Sequence, residues 1–370
     1  MTALIGLLGA VLVAASLPYW LPRLVVAFRV WLFARIGGPE GIPVPGDLVD
    51  ASQFVGVYSH PAASGRGRGT ALSNLFWYWL SPGAEMHPEY LEPGPQVDEV
   101  ARCTRGILAV PGESAERLAA DCVRAALPDR TGLVRLRDLV MPIWAEFYHR
   151  LLFDRPGTDD ARRLIVDNAG DVITALECCG LRHMDRRLRL TAHLVRVLDR
   201  VPYQLPALLD RRERALYLQG TFFNTAVVQS ADATAHLLMV LAADESMQRA
   251  AREDGALDDL FEETLRRFPL FGASHLVPIT VKAVTKELLA RFSFVTSASH
   301  TRPLVNRGPC LMTPRGAAVP LRTSTLVLLR LRDRWADVGR SLTQLVLGTY
   351  MVREAGRLRL CERYFETIEA

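Results

Sequence analysis

Glu263 and Arg266 are the side chains whose types and spacing point most directly to chemistry. They belong to the string ETLRRFP, Glu263 to Pro269. Two residues three apart share one face of a helix, so the carboxylate and the guanidinium can bind each other and a third group from another segment. An ExxR spacing alone arises often by chance. Here a long apolar stretch that ends in AHLLMVLAADESMQRAARED precedes ETLRRFP, and this order gives the ExxR spacing a context.

Other groups of polar residues point less clearly to a functional site. Cys179 and His183 lie four apart on a predicted helix, with Cys178 beside them, but a zinc site needs more ligands than two. We therefore expect a buried cysteine pair beside a surface histidine. His236 lies on the apolar face of Ala235 to Leu241, which favours a core histidine over a catalytic base. Phosphate-loop, GxSxG and HExxH motifs do not occur, so nucleotide hydrolysis, ester hydrolysis and zinc proteolysis have no support.

The elements that must position these residues belong to a chain of 370 residues with 49% hydrophobic and 23% charged content. This composition excludes a disordered, collagen-like or multi-span protein. The net charge of +4 is scattered and forms no basic stripe, so we expect no nucleic-acid partner. The six cysteines show no CxxC spacing, which indicates a reducing compartment and buried thiols.

The N-terminus predicts a membrane anchor. Ala3 to Pro22 contains no charged residue and is long enough to cross ~30 Å of hydrocarbon. Arginines follow the run and none precedes it, so the positive-inside tendency places the rest of the chain on the cytoplasmic side of a single-pass protein. We assign residues 1–22 to a transmembrane helix in contact with lipid, and residues 23–46 to a basic interfacial segment and a Pro/Gly hinge. A continuous helix that leaves the bilayer is the alternative.

The body of the chain, residues 47–314, is predicted to be mainly α with small β elements. Apolar residues recur at steps of three and four over four stretches. The predicted helices are Leu136–Leu152, Ala161–Leu198, Ala215–Ala243 and Leu257–Phe268. Residues 315–370 form a C-terminal extension, in which TLVLLRLRDRW predicts a strand and the following segment a helix.

The spacing of the apolar stretch and ETLRRFP resembles the cytochrome P-450 family. In that family a long helix crosses the haem, a PExxQ-like turn follows it, and ETLRxxP opens a buried ExxR helix. Asp244–Gln248, DESMQ, matches the turn with aspartate in place of proline. The anchor and hinge are similar to those of membrane-bound members. The resemblance covers residues 47–314 and is strongest over residues 220–272. It implies a P-450-like helical domain and a haem cofactor.

In this family a cysteine thiolate binds the haem iron. The resemblance leaves Cys310 as the candidate haem ligand. Cys310 would bind the metal only if haem is bound. The family's cysteine loop reads FxxGxRxCxG, whereas here Pro303 stands in place of phenylalanine, Asn306 replaces the first glycine and Met312 replaces the glycine after the cysteine. Cys310 is therefore either the haem ligand or an ordinary strand cysteine.

RPLVNRGPCLMTP, which contains Cys310, is similar instead to the family's final β-hairpin. The preceding helix of the family is then Pro278–Phe292. This alignment implies an internal loss near His275-Leu276, which removes the inner strands, the meander and the cysteine loop. Glu263 and Arg266 would remain as a buried ion pair without their usual third partner.

The helix over the haem usually carries an acid and an alcohol that deliver protons to bound dioxygen. Their positions fall here near Val227 and Val228, which have no proton to donate. Asn224, Thr225 and Gln229 lie nearby and are the candidate catalytic residues, relaying protons through water. Helix capping or a satisfied polar core is the alternative role for them.

Two functional hypotheses follow from the resemblance. In the first, the chain is a membrane-anchored haem monooxygenase, an oxidoreductase that hydroxylates a lipophilic small molecule from the bilayer and takes electrons from a redox partner protein. In the second, it is a haem-less, non-catalytic relative that binds a lipid-like molecule or supports a partner enzyme.

Overall fold

A computed structural model of the protein describes residues 2–36, 94–127, 131–176, 183–252, 256–268, 276–296, 309–317, 328, 331–332 and 334–347. Helices make up 82% of these described residues, beside a small three-stranded sheet. The mainly α fold class with small β elements is thus confirmed. The predicted hinge over Gly37–Gly46 lies outside the described residues.

The helices and strands follow one another in a simple order. The helices are α1 (Thr2–Ile36), α2 (Pro95–Leu108), α3 (Gly112–Ala126), α4 (Leu136–Phe153), α5 (Asp159–Leu176), α6 (Met184–Val197), α7 (Arg211–Leu218), α8 (Val227–Ala243), α9 (Glu245–Arg252), α10 (Ala256–Arg267), α11 (Leu276–Arg291) and α12 (residues 334–347). The strands are β1 (Gly132–Arg135), β2 (Phe292–Thr296) and β3 (Pro309–Pro314). A π-helical segment, Gln219–Ala226, joins α7 to α8 without a break.

The chain divides into two compact units. The first contains α1, the last residues of α5 and the helical tail from residue 331. The second contains α2 to α11, apart from the end of α5, and the sheet.

Helix α1 is apolar enough to cross a membrane. Gly6–Phe28 has a mean hydropathy of 1.6, and only 17% of its apolar window is buried. All 35 residues of α1 are helical, which corresponds to about 52 Å at 1.5 Å per residue. The helix therefore continues through the predicted boundary at residue 22, as in the alternative of a continuous helix. A second stretch, Arg211–Ala243, also has a suitable composition, but 67% of its window is buried.

The second unit is built around α4, of whose 18 residues 15 are buried. Aromatic side chains of α4 form hydrogen bonds with α8 in addition to apolar contacts. Trp144 Nε1 donates to Thr234 Oγ1 at 3.0 Å, and the hydroxyls of Tyr148 and Ser230 lie 3.0 Å apart. Phe147 meets both aromatic rings edge to face. Such buried aromatic contacts fix the relative position of two helices.

The predicted helices Leu136–Leu152 and Leu257–Phe268 are confirmed as α4 and α10, and Pro278–Phe292 corresponds to α11. The prediction of one helix over Ala161–Leu198 is wrong, because His183 is not helical and α6 begins at Met184. Helices α5 and α6 meet where Arg187 binds Asp171. The strand predicted in the tail is also wrong for its described residues, since positions 328, 331, 332, 334 and 335 are helical.

Candidate functional site

A buried network of amides lies where the π-helical segment meets α5 and α6. Asn168 Nδ2 donates to Asn224 Oδ1 at 2.7 Å, and Gln219 Nε2 donates to Asn168 Oδ1 at 2.9 Å. Asn168 and Gln219 are completely buried, and Asn224 is almost so. The sequence-predicted residue Asn224 thus belongs to a polar cluster of the core.

Two further contacts extend the network to α6. Thr191 Oγ1 donates to Gln219 Oε1 at 2.5 Å, and Gln219 Nε2 also donates to the backbone carbonyl of Arg187 at 3.1 Å. Every polar atom of the Gln219 amide therefore contacts a protein group. Buried amides that are satisfied in this way rigidify a core.

The π-helical geometry explains how the network forms. Thr225 Oγ1 donates to the carbonyl of Gly220 at 3.2 Å, five residues earlier. The wider turn places Gln219 and Asn224 in the same buried layer, which a regular α-helix would rotate apart. Val227 and Val228 are buried beyond it, and Gln229 is half-buried on α8. For Asn224 this arrangement supports the satisfied polar core more than a proton relay.

An ion pair adjoins the amide network through α6. Arg187 Nε donates to Asp171 Oδ2 at 2.5 Å, and the backbone N–H of His183 donates to Asp171 Oδ1 at 2.6 Å. Both charged side chains are completely buried. Neither residue was singled out from the sequence, because an acid and an arginine on two amphipathic helices look like surface residues until the helices are placed together.

Glu146 is the second buried charge that sequence reasoning missed. Arg150 Nε and Arg162 NH1 donate to its two carboxylate oxygens at 2.5 and 3.0 Å, and Gly157 N donates at 3.2 Å. A Cβ at Gly157 would lie 3.1 Å from the carboxylate, so a larger residue there would require the Glu146 side chain to shift by a few tenths of an ångström. A signal was present in the sequence, since Glu146 is an acid in the middle of the apolar run of α4, with an arginine four residues later.

The predicted Glu263–Arg266 pair forms, but it lies at the surface. Arg266 Nε and NH2 donate to the two carboxylate oxygens of Glu263 at 2.7 and 2.8 Å. The side chain of Glu263 is 42% exposed and that of Arg266 is 70% exposed. The expectation of a buried pair is therefore wrong. Helix α10 turns this face to solvent and buries Leu257, Phe261 and Thr264 instead.

We expect Glu263→Ala to leave the stability of the chain nearly unchanged. Exposed ion pairs three residues apart contribute little, because water screens both charges. The thermal midpoint of the purified variant should lie within about 2 °C of that of the parent. Thr264→Val, one position along and buried, is the matched comparison. A collapse of folding in Glu263→Ala would show that this carboxylate has the structural role of the buried ExxR glutamate.

Cys310 lies in β3, the central strand of the sheet. The strand order is β1-β3-β2, and Cys310 is paired across the antiparallel ladders with Val134 and Thr296. The side chain is 1% exposed, and its Sγ lies 3.8 Å from the carbonyl oxygen of Leu311. Burial raises the pKa of the thiol to about 12. The thiol is thus protonated near pH 7 in the metal-free protein, as is usual for a buried structural cysteine.

A haem group does not fit these donors. The thiol of Cys310 is enclosed in a sheet, and the ion pair that resembles the family's ExxR is exposed. Cys310 has the properties of the ordinary strand cysteine that the sequence left as its alternative role.

The DESMQ turn has a clear structural role. Asp244 Oδ1 accepts from Ser246 N and Ser246 Oγ, both at 2.7 Å, and so caps α9. Gln248 is 3% exposed. Its amide donates to the carbonyl of Phe294 at 2.6 Å and accepts from the N–H of Phe294 at 3.0 Å. Gln248 therefore acts as a partner for the edge of β2.

The remaining candidates for metal binding can be judged only where the structure describes them. Within the described ranges, no group of three or more His, Cys, Asp or Glu side chains could hold a metal ion. Cys178 and Cys179 lie outside the described residues, and His183 precedes the first turn of α6. His236 stacks on Phe268, with ring centroids 4.4 Å apart and planes at 3°. This contact joins α8 to the end of α10 and agrees with a core histidine.

Comparison with known proteins adds no assignment. No protein-family model matches the chain, and no curated protein matches it.

Proposed function

We propose that this protein is a membrane-tethered, P-450-like helical protein without haem-thiolate chemistry, which binds a lipophilic small molecule. The position of Cys310 carries the proposal, because the thiol that the resemblance offers to iron is enclosed in the central strand of the sheet. The anchor helix would hold the second unit at the cytoplasmic face of the bilayer, where such a ligand is concentrated.

The polar residues near the positions that the resemblance assigns to oxygen chemistry support the same conclusion. Asn224 is bound to Asn168, and Thr225 is bound to the carbonyl of Gly220. Neighbouring Val227 and Val228 cannot donate a proton. These side chains serve the fold of the long helix. A monooxygenase would need both a thiolate ligand and a route for protons to dioxygen.

Ligand binding is tested by extracting the purified protein with organic solvent. The full-length chain would be purified in lipid nanodiscs, and the extract would be analysed by mass spectrometry against empty nanodiscs of the same lipid. We expect a hydrophobic small molecule at about one per chain, enriched over the empty discs. Identical extracts from both samples would contradict the binding function.

Cys310→Ala separates the proposal from the haem monooxygenase. We expect the variant to have the same haem content and the same absorption spectrum as the parent, because a thiol enclosed in the central strand of the sheet is not accessible to iron. Cys122→Ala is the matched control, since its thiol is also buried and burial raises its pKa to about 12. Loss of a cofactor band in Cys310→Ala, with the band kept in Cys122→Ala, would contradict the proposal.

A further inference from the structure

The helical tail carries an exposed apolar stripe. Its members are Leu331, Trp335, Leu342 and Val346, which are 44%, 47%, 49% and 68% exposed. They are spaced four, seven and four residues apart, so they follow one side of a helix. A stripe of this length on a water-soluble surface is unusual and indicates a contact surface.

The neighbouring side of the same helix is bound to the anchor. Val338 is buried against Leu21 and Val25 of α1, with Leu17 and Leu345 packed around them. Arg334 lies over the ring of Tyr19, with its guanidinium carbon 4.6 Å from the ring centroid. The tail helix therefore docks on the part of α1 between Leu17 and Val25, inside the apolar span Gly6–Phe28.

A phospholipid bilayer is the surface that these contacts place against the stripe. The parts of α1 beside the docking contact are themselves apolar and outward-facing, with Leu24 57% and Val26 53% exposed. Lipid that covers these side chains continues onto a helix held in contact with them. Arg23, Arg332 and Arg334 are exposed on these two helical segments, and arginines near a bilayer surface can meet lipid phosphates.

We propose that α12 is a second membrane-bound element, which lies at the bilayer interface with one side on the anchor helix and the stripe in lipid. The inference goes beyond the proposed ligand-binding function and needs neither haem nor ligand. It assigns the C-terminal extension a role that a single-pass anchor does not include. Interfacial helices of this kind combine an apolar stripe with arginines beside it.

Quenching of tryptophan fluorescence by brominated lipids tests the proposal on the full-length chain. The protein would be reconstituted in phosphatidylcholine and phosphatidylglycerol vesicles brominated near the top of the acyl chains. The emission of Trp335 is obtained by subtracting the fluorescence spectrum of Trp335→Phe from that of the parent. In the matched control, Ala336→Trp in the Trp335→Phe background, the indole moves by one residue, about 100° around the helix.

We expect the lipids to quench Trp335 at least about twofold more than the indole of the control. Leu342→Trp in the Trp335→Phe background should restore strong quenching from another position of the stripe. Equal quenching at the stripe and control positions, or none at either, would overturn the inference. If the protein floats with the vesicles but Trp335 is not quenched, the inference about α12 is overturned and the anchor role of α1 stands. If the protein does not float, both the inference about α12 and the anchor role of α1 are overturned. None of these outcomes bears on the extracted ligand.

Discussion

Asp171→Ala should lower the free energy of unfolding by about 3–5 kcal/mol, because it removes one partner of a fully buried ion pair. The carboxylate accepts from Arg187 Nε and from the backbone of His183, and both charged side chains are completely buried. Urea denaturation of the full-length chain in detergent, followed by circular dichroism, measures the change.

Asp185→Ala is the matched control for this prediction. Asp185 pairs with Arg189 on α6, but both side chains are more than half exposed, so the loss should be below about 1 kcal/mol. The double variant Asp171→Leu/Arg187→Met should be more stable than Asp171→Leu alone, since two apolar side chains can replace a buried pair. Equal losses from Asp171→Ala and Asp185→Ala would contradict the burial of the pair.

Glu146→Gln is expected to cause the second large loss, about 2–4 kcal/mol near neutral pH. The amide keeps the size of the side chain but removes the charge that holds Arg150 and Arg162. Thermal unfolding at pH 7 measures the effect, and Glu262→Gln, on the exposed face of α10, should stay within about 0.5 kcal/mol of the parent.

The same carboxylate predicts a dependence of stability on pH. Burial alone would raise the pKa of Glu146, but the hydrogen bonds from Arg150 and Arg162 outweigh it and lower the pKa from 4.5. A lowered folded-state pKa means that the stabilisation is complete above pH 4.5 and is lost as the pH falls through the folded-state value. The parent should therefore lose more stability than Glu146→Gln between pH 6 and pH 3. Parallel curves would contradict this assignment.

Much of the helical architecture could be predicted from the sequence. Helices α4 and α10 have apolar residues at regular steps, and local periodicity suffices to place them within a few residues. The tail shows the limit, because a short run of leucine and valine fits a strand as well as a helix. There the contact of Val338 with α1, which no local pattern reports, accompanies the helical state.

The candidate site could be predicted only in part. The spacing correctly placed Glu263 and Arg266 within reach of each other, but it could not say which face of α10 is buried. The sequence indicated Asn224 as a candidate residue but not its partners Asn168 and Gln219. No local sequence pattern marks the π-helical segment that brings them together. Asp171 and Arg187 were missed because their burial depends on how two separate helices meet.

The absorption spectrum of the detergent-purified full-length protein, recorded oxidised and then reduced under carbon monoxide, tests the central claim most directly when haem per chain is measured on the same sample. The account predicts no stoichiometric haem and no carbonyl band, because Cys310 is enclosed in the central strand of the sheet. One haem per chain with the red-shifted band of a thiolate-bound carbonyl complex would contradict the account and restore the monooxygenase.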